Sequence, residues 1–274
     1  MSVWDVFYLP FGGIDKESLN IGDRKMLESL LSPDSISIIG ASAVPGKVGN
    51  DVVSNLINSG FKGEIIPVNP KSEEILGIKC YNDLSEYDGK IDMSIITVPA
   101  KIALAAVQSS ISAGAKAITV ITAGFKEVSE QGAFLEEKIT ALCQANNVRL
   151  LGPNVLGLIN THHNMNATFA HHMPMKGGIS VISQSGAVCT AILDWAAQRS
   201  LGLAKLISIG NKADISEIDL LEALAEDPET QVIVGYLESI VDGKEFIRVA
   251  EQVTTKKPVV IFKSGTTSAG VKAA

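Results

Sequence analysis

The stretch Ser35-Ile36-Ser37-Ile38-Ile39-Gly40-Ala41-Ser42 runs on through Pro45-Gly46-Lys47-Val48-Gly49 and enters a helical pattern at Asn50. A short apolar run, a glycine turn and a helix start in succession form the strand-turn-helix unit that presents free backbone N–H groups to phosphate. About 20 residues further on, a site of the NAD kind needs an acidic side chain for the ribose hydroxyls. Here the second strand, Glu64 to Val68, ends in Asn69-Pro70-Lys71. A neutral amide and a lysine suit an extra phosphate better than two bare hydroxyls, which leaves NADP and coenzyme A as candidates.

Outward from this unit the pattern alternates. Strands are predicted at 36–39, 64–68, 92–98, 117–122 and 148–151, with helices at 49–58, 101–113 and 130–146. Such alternation predicts a parallel, doubly wound α/β sheet. The unbroken apolar runs at 93–96 and 117–121 fit strands buried on both faces. After Gly152-Pro153-Asn154 the chain turns polar, with His162-His163 and His171-His172, and little periodicity; residues 159–176 read as a linker. A second α/β unit follows, with strands at 179–182, 203–209, 231–237 and 258–262 and helices at 187–198, 217–226 and 243–254. Ser216 and Asp219 have the spacing of a helix-start capping pair. The expected organisation is an N-terminal arm over 1–31, a first domain over 32–158, the linker over 159–176 and a second domain over 177–274. The arm holds Trp4, Phe7 and Tyr8, then Gly12-Gly13 and a short amphipathic pattern over 21–31. It reads as packing on the body or on a partner.

With 274 residues, 46% of them hydrophobic, the chain can bury a sizeable core. Its 23 basic and 30 acidic residues give a formal charge of −7, and no basic cluster offers a nucleic acid its footprint. No apolar run reaches the ~20 residues of a membrane span, and residues 1–13 lack the marks of a signal peptide. Cys80, Cys143 and Cys189 are odd in number and set in apolar context, which reads as reduced thiols in a cytoplasmic protein.

In an open parallel sheet ligands sit at the carboxyl ends of the strands. In the first unit those ends are Gly40-Ala41-Ser42, Asn69-Pro70-Lys71, Val98-Pro99-Ala100, Thr122-Ala123-Gly124 and Gly152-Pro153-Asn154. This small, nearly uncharged rim lets a long cofactor lie close to backbone, with Lys47 and Lys71 left for phosphates. The plainer alternative is that such loops need Gly and Pro for their turns. In the second unit, Ser183-Gln184-Ser185-Gly186 opens a helix and forms an anion pocket, because the first N–H groups of a helix are unpaired. Glu238 beside it does not suit direct anion binding. It suits a carboxylate that orients a histidine carrying the anion, or else a solvated strand-end residue.

Two other chemistries are excluded. Adjacent histidine pairs rarely converge on one ion, and no Cys or Glu spacing supports a metal site. Gln184-Ser185-Gly186 lacks the leading glycine of a hydrolase nucleophile elbow, and no histidine follows in the required order.

Several ordered motifs together resemble the α-subunit or α-domain of the NDP-forming acyl-CoA synthetases, the ADP-forming acetate-CoA ligase type related to the succinyl-CoA synthetase α-subunit. They are Ile38-Ile39-Gly40-Ala41-Ser42, Pro67-Val68-Asn69-Pro70-Lys71, Ile121-Thr122-Ala123-Gly124-Phe125, Leu151-Gly152-Pro153-Asn154-Val155-Leu156-Gly157, Ser183-Gln184-Ser185-Gly186 and Lys263-Ser264-Gly265. The resemblance implies a Rossmann-like CoA-binding domain followed by a flavodoxin-like α/β domain. It also implies that acyl-CoA, ADP and phosphate are interconverted with acid, CoA and ATP through an acyl phosphate and a phosphohistidine. Together with the strand-end reading it makes Gly40, Ser42, Pro45, Gly46, Lys47, Val48, Asn69, Lys71, Val98, Pro99, Thr122, Ala123 and Gly124 the cofactor-binding candidates. Asn154, Ser183, Ser185 and Gly186 become the phosphohistidine-binding candidates, and Glu238 the catalytic one.

The implied partners are CoA, a small carboxylic acid and an ATP-grasp β-subunit or β-domain that brings ADP or ATP and Mg; an oligomer is expected. The family's phosphorylated histidine follows a Lys-Ala-Ala like Lys272-Ala273-Ala274, and none of the four histidines here occupies that place, so this stretch alone is expected to be inactive. Cys189 and Thr190 stand where succinate-specific relatives carry Thr and Tyr, so a dicarboxylate is not implied. Two alternatives stand beside the ligase: a non-catalytic CoA- or nucleotide-sensing regulatory module of a protein acetyltransferase, and an NADP oxidoreductase, which lacks a hydride-site acid or base in these loops.

Overall fold

A computed structural model of the chain describes residues 5–8 and 27–265. Most of the aromatic and glycine-bearing arm, and Lys272 to Ala274, therefore lie outside the described residues. The elements run β1 (Asp5–Tyr8), β2 (Ser35–Ile39), α1 (Val48–Asn58), β3 (Glu64–Val68), β4 (Glu74–Ile75), β5 (Ile78–Lys79), β6 (Met93–Ile96), α2 (Ala100–Ser112), β7 (Ala117–Val120), α3 (Glu130–Ala145) and β8 (Arg149–Leu151). They continue through β9 (Gly157–Asn160), β10 (Met165–Thr168), β11 (Lys176–Ser183), α4 (Gly186–Arg199), β12 (Leu203–Ser208), α5 (Glu217–Glu226), β13 (Val232–Leu237), α6 (Gly243–Thr254) and β14 (Val259–Lys263). The predicted strands and helices of both units are all present, with ends shifted by a few residues at most.

The first sheet is parallel, in the order β3-β2-β6-β7-β8. Ile36, Ile38, Met93 and Ile95 of its strands pack with Val52, Val53 and Leu56 of α1. Ile96, Ile118, Val120 and Leu150 pack in a second cluster with Val107 of α2 and Ile139 and Cys143 of α3. Helices thus cover both faces, which is why Ser37, Ser94 and Thr119 are as fully buried as the apolar residues around them.

The second sheet has the order β1-β14-β13-β11-β12-β9-β10. Its centre, β14-β13-β11-β12, is parallel, while β1, β9 and β10 are antiparallel additions. α5 starts in the predicted capping box: Ser216 Oγ accepts from Ile218 N at 3.2 Å and Asp219 Oδ2 accepts from Ser216 N at 2.9 Å. In each sheet the order reverses beside the first strand of its unit, β2 and β11, and this reversal creates the crevice where ligands of such sheets bind.

One expectation needs correction. The segment 159–176 does not run as a polar linker: β9 and β10 form an antiparallel pair with Asn160 opposite Met165. Leu158, Met165 and Ala167 enter the same core as α1, and Asn55 of α1 donates to the carbonyls of Thr168 at 2.7 Å and Ala170 at 2.8 Å. The polar run 161–164 is only the turn, where Asn160 Oδ1 accepts from the N–H groups of His162 and His163 at 3.1 and 3.2 Å. Strands of four residues around a conspicuous polar turn leave too short a pattern to register. The arm, in turn, contributes β1 as an edge strand paired with β14, Asp5 opposite Lys263.

Candidate functional site

Gly40 ends β2 with φ +95°, and a Cβ there would lie 2.7 Å from Thr97 Oγ1 and 2.8 Å from Val98 Cγ1. Across the turn, a Cβ on Gly49 would lie 2.0 Å from the Gly40 carbonyl oxygen. The two glycines let α1 start directly on the end of β2, at the first switch point. Lys47, the N-cap of α1, makes no side-chain capping bond, so the first N–H groups of the helix face the loop. Ser42 shapes that loop by accepting Val44 N at 3.1 Å on Oγ and Asn50 Nδ2 at 2.8 Å on its carbonyl. Pro45, Gly46, Lys47 and Lys71 are exposed. Asn69 serves the fold of the loops: its amide donates to Ala41 O at 2.7 Å and accepts Lys71 N at 2.9 Å. The N–H of Gly124 is likewise occupied, donating to Glu127 Oε1 at 2.6 Å.

At the second switch point, Ser185 caps α4, its Oγ accepting Val188 N at 3.4 Å. Ser183 is buried, donating from Oγ to Ser185 O at 2.8 Å and accepting Ser185 N at 3.1 Å. It supports the turn. Glu238 follows β13 and is half-buried. Burial pushes its carboxyl above the ordinary value, and the nearby charges of Lys212 and Lys263 pull it back without cancelling the rise.

The two switch points open into one cleft of about 640 Å³. The predicted residues Val48, Thr122, Ala123, Asn154, Ser185, Gly186 and Glu238 all line it. Gly40, Ser42, Pro45, Gly46, Lys47, Asn69, Lys71, Val98, Pro99, Gly124 and Ser183 are not in that lining; they build or border the loops around it. The lining also includes Thr97 and the apolar Val155, Leu156 and Phe169, none of which the strand-end reading assigns a role, and Gln184, which that reading sets in the anion pocket without a role of its own. Thr97 directly follows β6, but the strand predicted over 92–98 takes it in and the strand-end reading begins at Val98. Phe169 was hidden by the linker reading.

The cleft keeps its shape because the sheets are joined beside it. Asn211 N donates to Pro153 O at 2.9 Å and Ala213 N to Gly152 O at 3.0 Å. Asn154, at φ +62°, donates from Nδ2 to Asn211 Oδ1 at 3.3 Å. Arg149 of β8 reaches Asp214 at 3.0 Å and Asp219 at 2.8 Å in the second unit.

No group of three His, Cys, Asp or Glu that could hold a metal occurs among the described residues. His162 is held by Gly177 O and Glu229, both at 2.9 Å, and His163 by Pro33 O at 2.7 Å. Both belong to the β9-β10 turn and neither lines the cleft. Among the described residues, no helix is long and apolar enough to cross a membrane.

A glycine turn that a single Cβ would block and a helix N-terminus on the same cleft give the strand-end geometry at which phosphate-bearing ligands bind in such sheets. Residues 34–161 match the CoA binding domain family and residues 176–274 the succinyl-CoA ligase like flavodoxin domain family. The chain belongs to the NDP-forming acyl-CoA synthetases of the ADP-forming acetate-CoA ligase type, as their α part. It is 46% identical to the ADP-forming acetate-CoA ligase of Methanocaldococcus jannaschii over 90% of this chain and 34% of that protein. It is 39% identical to subunit alpha of acetate-CoA ligase [ADP-forming] I from Pyrococcus furiosus, over 90% of this chain and 54% of the subunit. The dinucleotide forming acetyl-coenzyme A synthetase 1 of Ca. Korarchaeum cryptofilum, solved with phosphate and ADP, superposes with a TM-score of 0.87 at 38% identity, covering 90% of this chain and 53% of that one. The chain thus spans from a third to about half of the length of these relatives. They do not support the acetyltransferase regulatory module.

Proposed function

We propose that this chain is the CoA- and phosphohistidine-binding part of an acid-CoA ligase that interconverts acyl-CoA, ADP and phosphate with acid, CoA and ATP. What carries the reading is the single cleft onto which the strand-end loops of both sheets open. The glycine turn of 40–49 lets phosphates approach backbone N–H groups, and Lys47 and Lys71 add charge at the mouth. Val98, Pro99 and the loop of Thr122, Ala123 and Gly124 wall the path into the cleft. CoA, when bound, supplies the thiol that takes up the acyl group.

Across the cleft, the N-terminus of α4 at Ser185 and Gly186 stabilises negative charge on a phosphoryl group, and Asn154 offers an amide beside it. Glu238 accepts an imidazole N–H and fixes the ring for phosphoryl transfer, which depends on alignment and charge more than on covalent chemistry. The histidine comes from outside the described residues, and nucleotide and Mg from an ATP-grasp partner. Glu238 is the one ionisable side chain among the described residues lining the cleft, whose walls include Val48, Val155, Leu156 and Phe169. Those apolar walls suit an acid with an apolar body.

Titration calorimetry of the chain with CoA and with NADP tests the reading. Saturable CoA binding that excludes NADP is expected, and ATP formation from acyl-CoA, ADP and phosphate once the ATP-grasp partner is added. Binding of NADP in place of CoA overturns it.

A further inference from the structure

Around Glu238 three side chains from three other strand ends converge on two residues of backbone. Gln184, after β11, accepts the N–H of Glu238 and the N–H of Ser239 on one amide oxygen, each at 3.0 Å, and donates from Nε2 to Ser239 Oγ at 3.1 Å. Lys263, closing β14, donates to the carbonyl of Glu238 at 2.8 Å and also to Ser264 O. Lys212, after β12, donates to the carbonyl of Ser239 at 2.8 Å. Every backbone polar group of Glu238 and Ser239 is therefore held by a side chain that is distant in sequence. Backbone groups are more commonly met by other backbone or by water than by three remote side chains at once.

Lys212 shows how much the arrangement imposes on the fold. It has φ +53°, a left-handed conformation uncommon for a residue other than Gly or Asn. Its ammonium pairs with Glu217 at 3.0 Å, and both side chains are only 2% exposed. The other carboxylate oxygen of Glu217 is buried without a hydrogen-bond partner. A half-satisfied buried ion pair is a worse source of stability than apolar packing of the same volume. Its place, one residue from the strand end that bears Glu238, is accounted for by what the ammonium does there. Neither lysine forms an ion pair with the Glu238 carboxylate among the described residues; both give their hydrogens to backbone or, for Lys212, to Glu217. They act on that carboxylate through the backbone they fix and through space, leaving its oxygens open to the cleft.

We infer that Gln184, Lys212 and Lys263 are positioning residues that lock the Glu238 backbone and aim its carboxylate at the imidazole entering the cleft. The inference rests on the role proposed above for Glu238 and extends it to the residues that make the role possible. The charged groups that face Glu238 are Lys212 from the β12 loop, Lys263 from β14 and, through Lys212, Glu217 at the start of α5; the β11 side contributes the neutral Gln184. The two ammoniums favour the ionised carboxylate, the form that can accept from an imidazole.

The test uses the full-length enzyme with its ATP-grasp partner, as wild type and as Gln184→Leu, Lys263→Met and the paired Lys212→Met with Glu217→Gln, which strands no buried charge. The Glu238 carboxyl is titrated by NMR with carbon-13 glutamate, its signal identified by loss in Glu238→Gln. Steady-state turnover is measured alongside. In both lysine variants the Glu238 midpoint is expected to rise. In all three variants kcat should fall by about 10- to 100-fold at unchanged KM for CoA, the scale that misplacing a reacting group by about 1 Å brings. Lys263→Arg should restore most of the loss. Variants that melt earlier yet keep the wild-type midpoint and kcat overturn the inference. A wild type without ligase turnover, in which the midpoint still moves, would sink the proposed function while upholding the positioning frame.

Discussion

The carbonyl oxygen of Gly40 occupies the space into which a side chain on Gly49 would project, 2.0 Å from where its Cβ would stand. That contact sets the first turn of α1 against the end of β2, so the cradle and the helix that closes it are one structure. Gly49→Ala forces backbone apart, since the obstructing atom is a carbonyl and cannot rotate away. It is expected to lower stability by about 1–3 kcal/mol, the range of overpacked sites, and to remove CoA binding in titration calorimetry. Gly46 has φ +79° and open space, with nothing within 4 Å, where a Cβ would stand, so Gly46→Ala carries only the left-handed strain, about 1–2 kcal/mol. Equal loss of CoA binding in the two variants would refute the close-approach argument.

Lys71 is exposed, and its backbone N–H is fixed by Asn69 Oδ1 at 2.9 Å. The loop therefore keeps its shape when the side chain is shortened. Lys71→Ala is expected to weaken CoA binding by about 1–3 kcal/mol, the worth of a charge-assisted hydrogen bond, with the melting temperature unchanged. An unaltered calorimetric affinity would remove Lys71 from the site.

Both sheets and the first cradle were legible in the sequence because their signals are local: apolar runs with a glycine turn, then helical periodicity. Glu238 and the Ser185-Gly186 helix start were legible for the same reason. What escaped depends on partners remote in the chain. Gln184 grips Glu238 only because β13 lies beside β11. The β9-β10 pair owes its place to α1, through Asn55 and the carbonyls of Thr168 and Ala170. Phe169 reaches the cleft by that route, and no spacing in its own neighbourhood announces it. Asn69 and Ser183 stand at strand ends as the sequence indicates, yet their polar atoms are engaged in holding loops.

Arg149 joins the two units through Asp214 and Asp219, and its side chain is only 14% exposed. Arg149→Met leaves two carboxylates facing each other without their cation and is expected to cost roughly 3–5 kcal/mol, as for one partner removed from a buried pair. Burial pushes Asp219 upward, but the Arg149 guanidinium and the Ser216 N–H outweigh it, so its carboxyl lies below the ordinary 3.8. A depressed carboxyl adds stability that is complete above its unfolded value and is lost as pH falls through the folded one. Wild type should therefore lose stability steeply below pH 3.8, and Arg149→Met should show a flatter acid limb in denaturant melts. Parallel acid limbs would contradict the assignment.

Glu238 has the opposite sign. Its carboxyl is raised above 4.5 by burial, against the pull of Lys212 and Lys263. A group with a raised folded value opposes folding once it ionises: the penalty is absent below 4.5 and complete above the folded value. Glu238→Gln keeps the shape and removes the charge. It should melt higher than wild type near neutral pH, and the gain should vanish as the pH is brought below 4.5. In the same variant ligase turnover should fall by about 10- to 100-fold, the loss that follows when the group orienting a histidine is removed, while calorimetric CoA affinity stays at the wild-type level. Such a pairing, a stability gain with a turnover loss, is what a carboxylate kept for chemistry produces. A variant that melts lower at neutral pH, or turns over as wild type does, would return Glu238 to the status of a solvated strand-end residue.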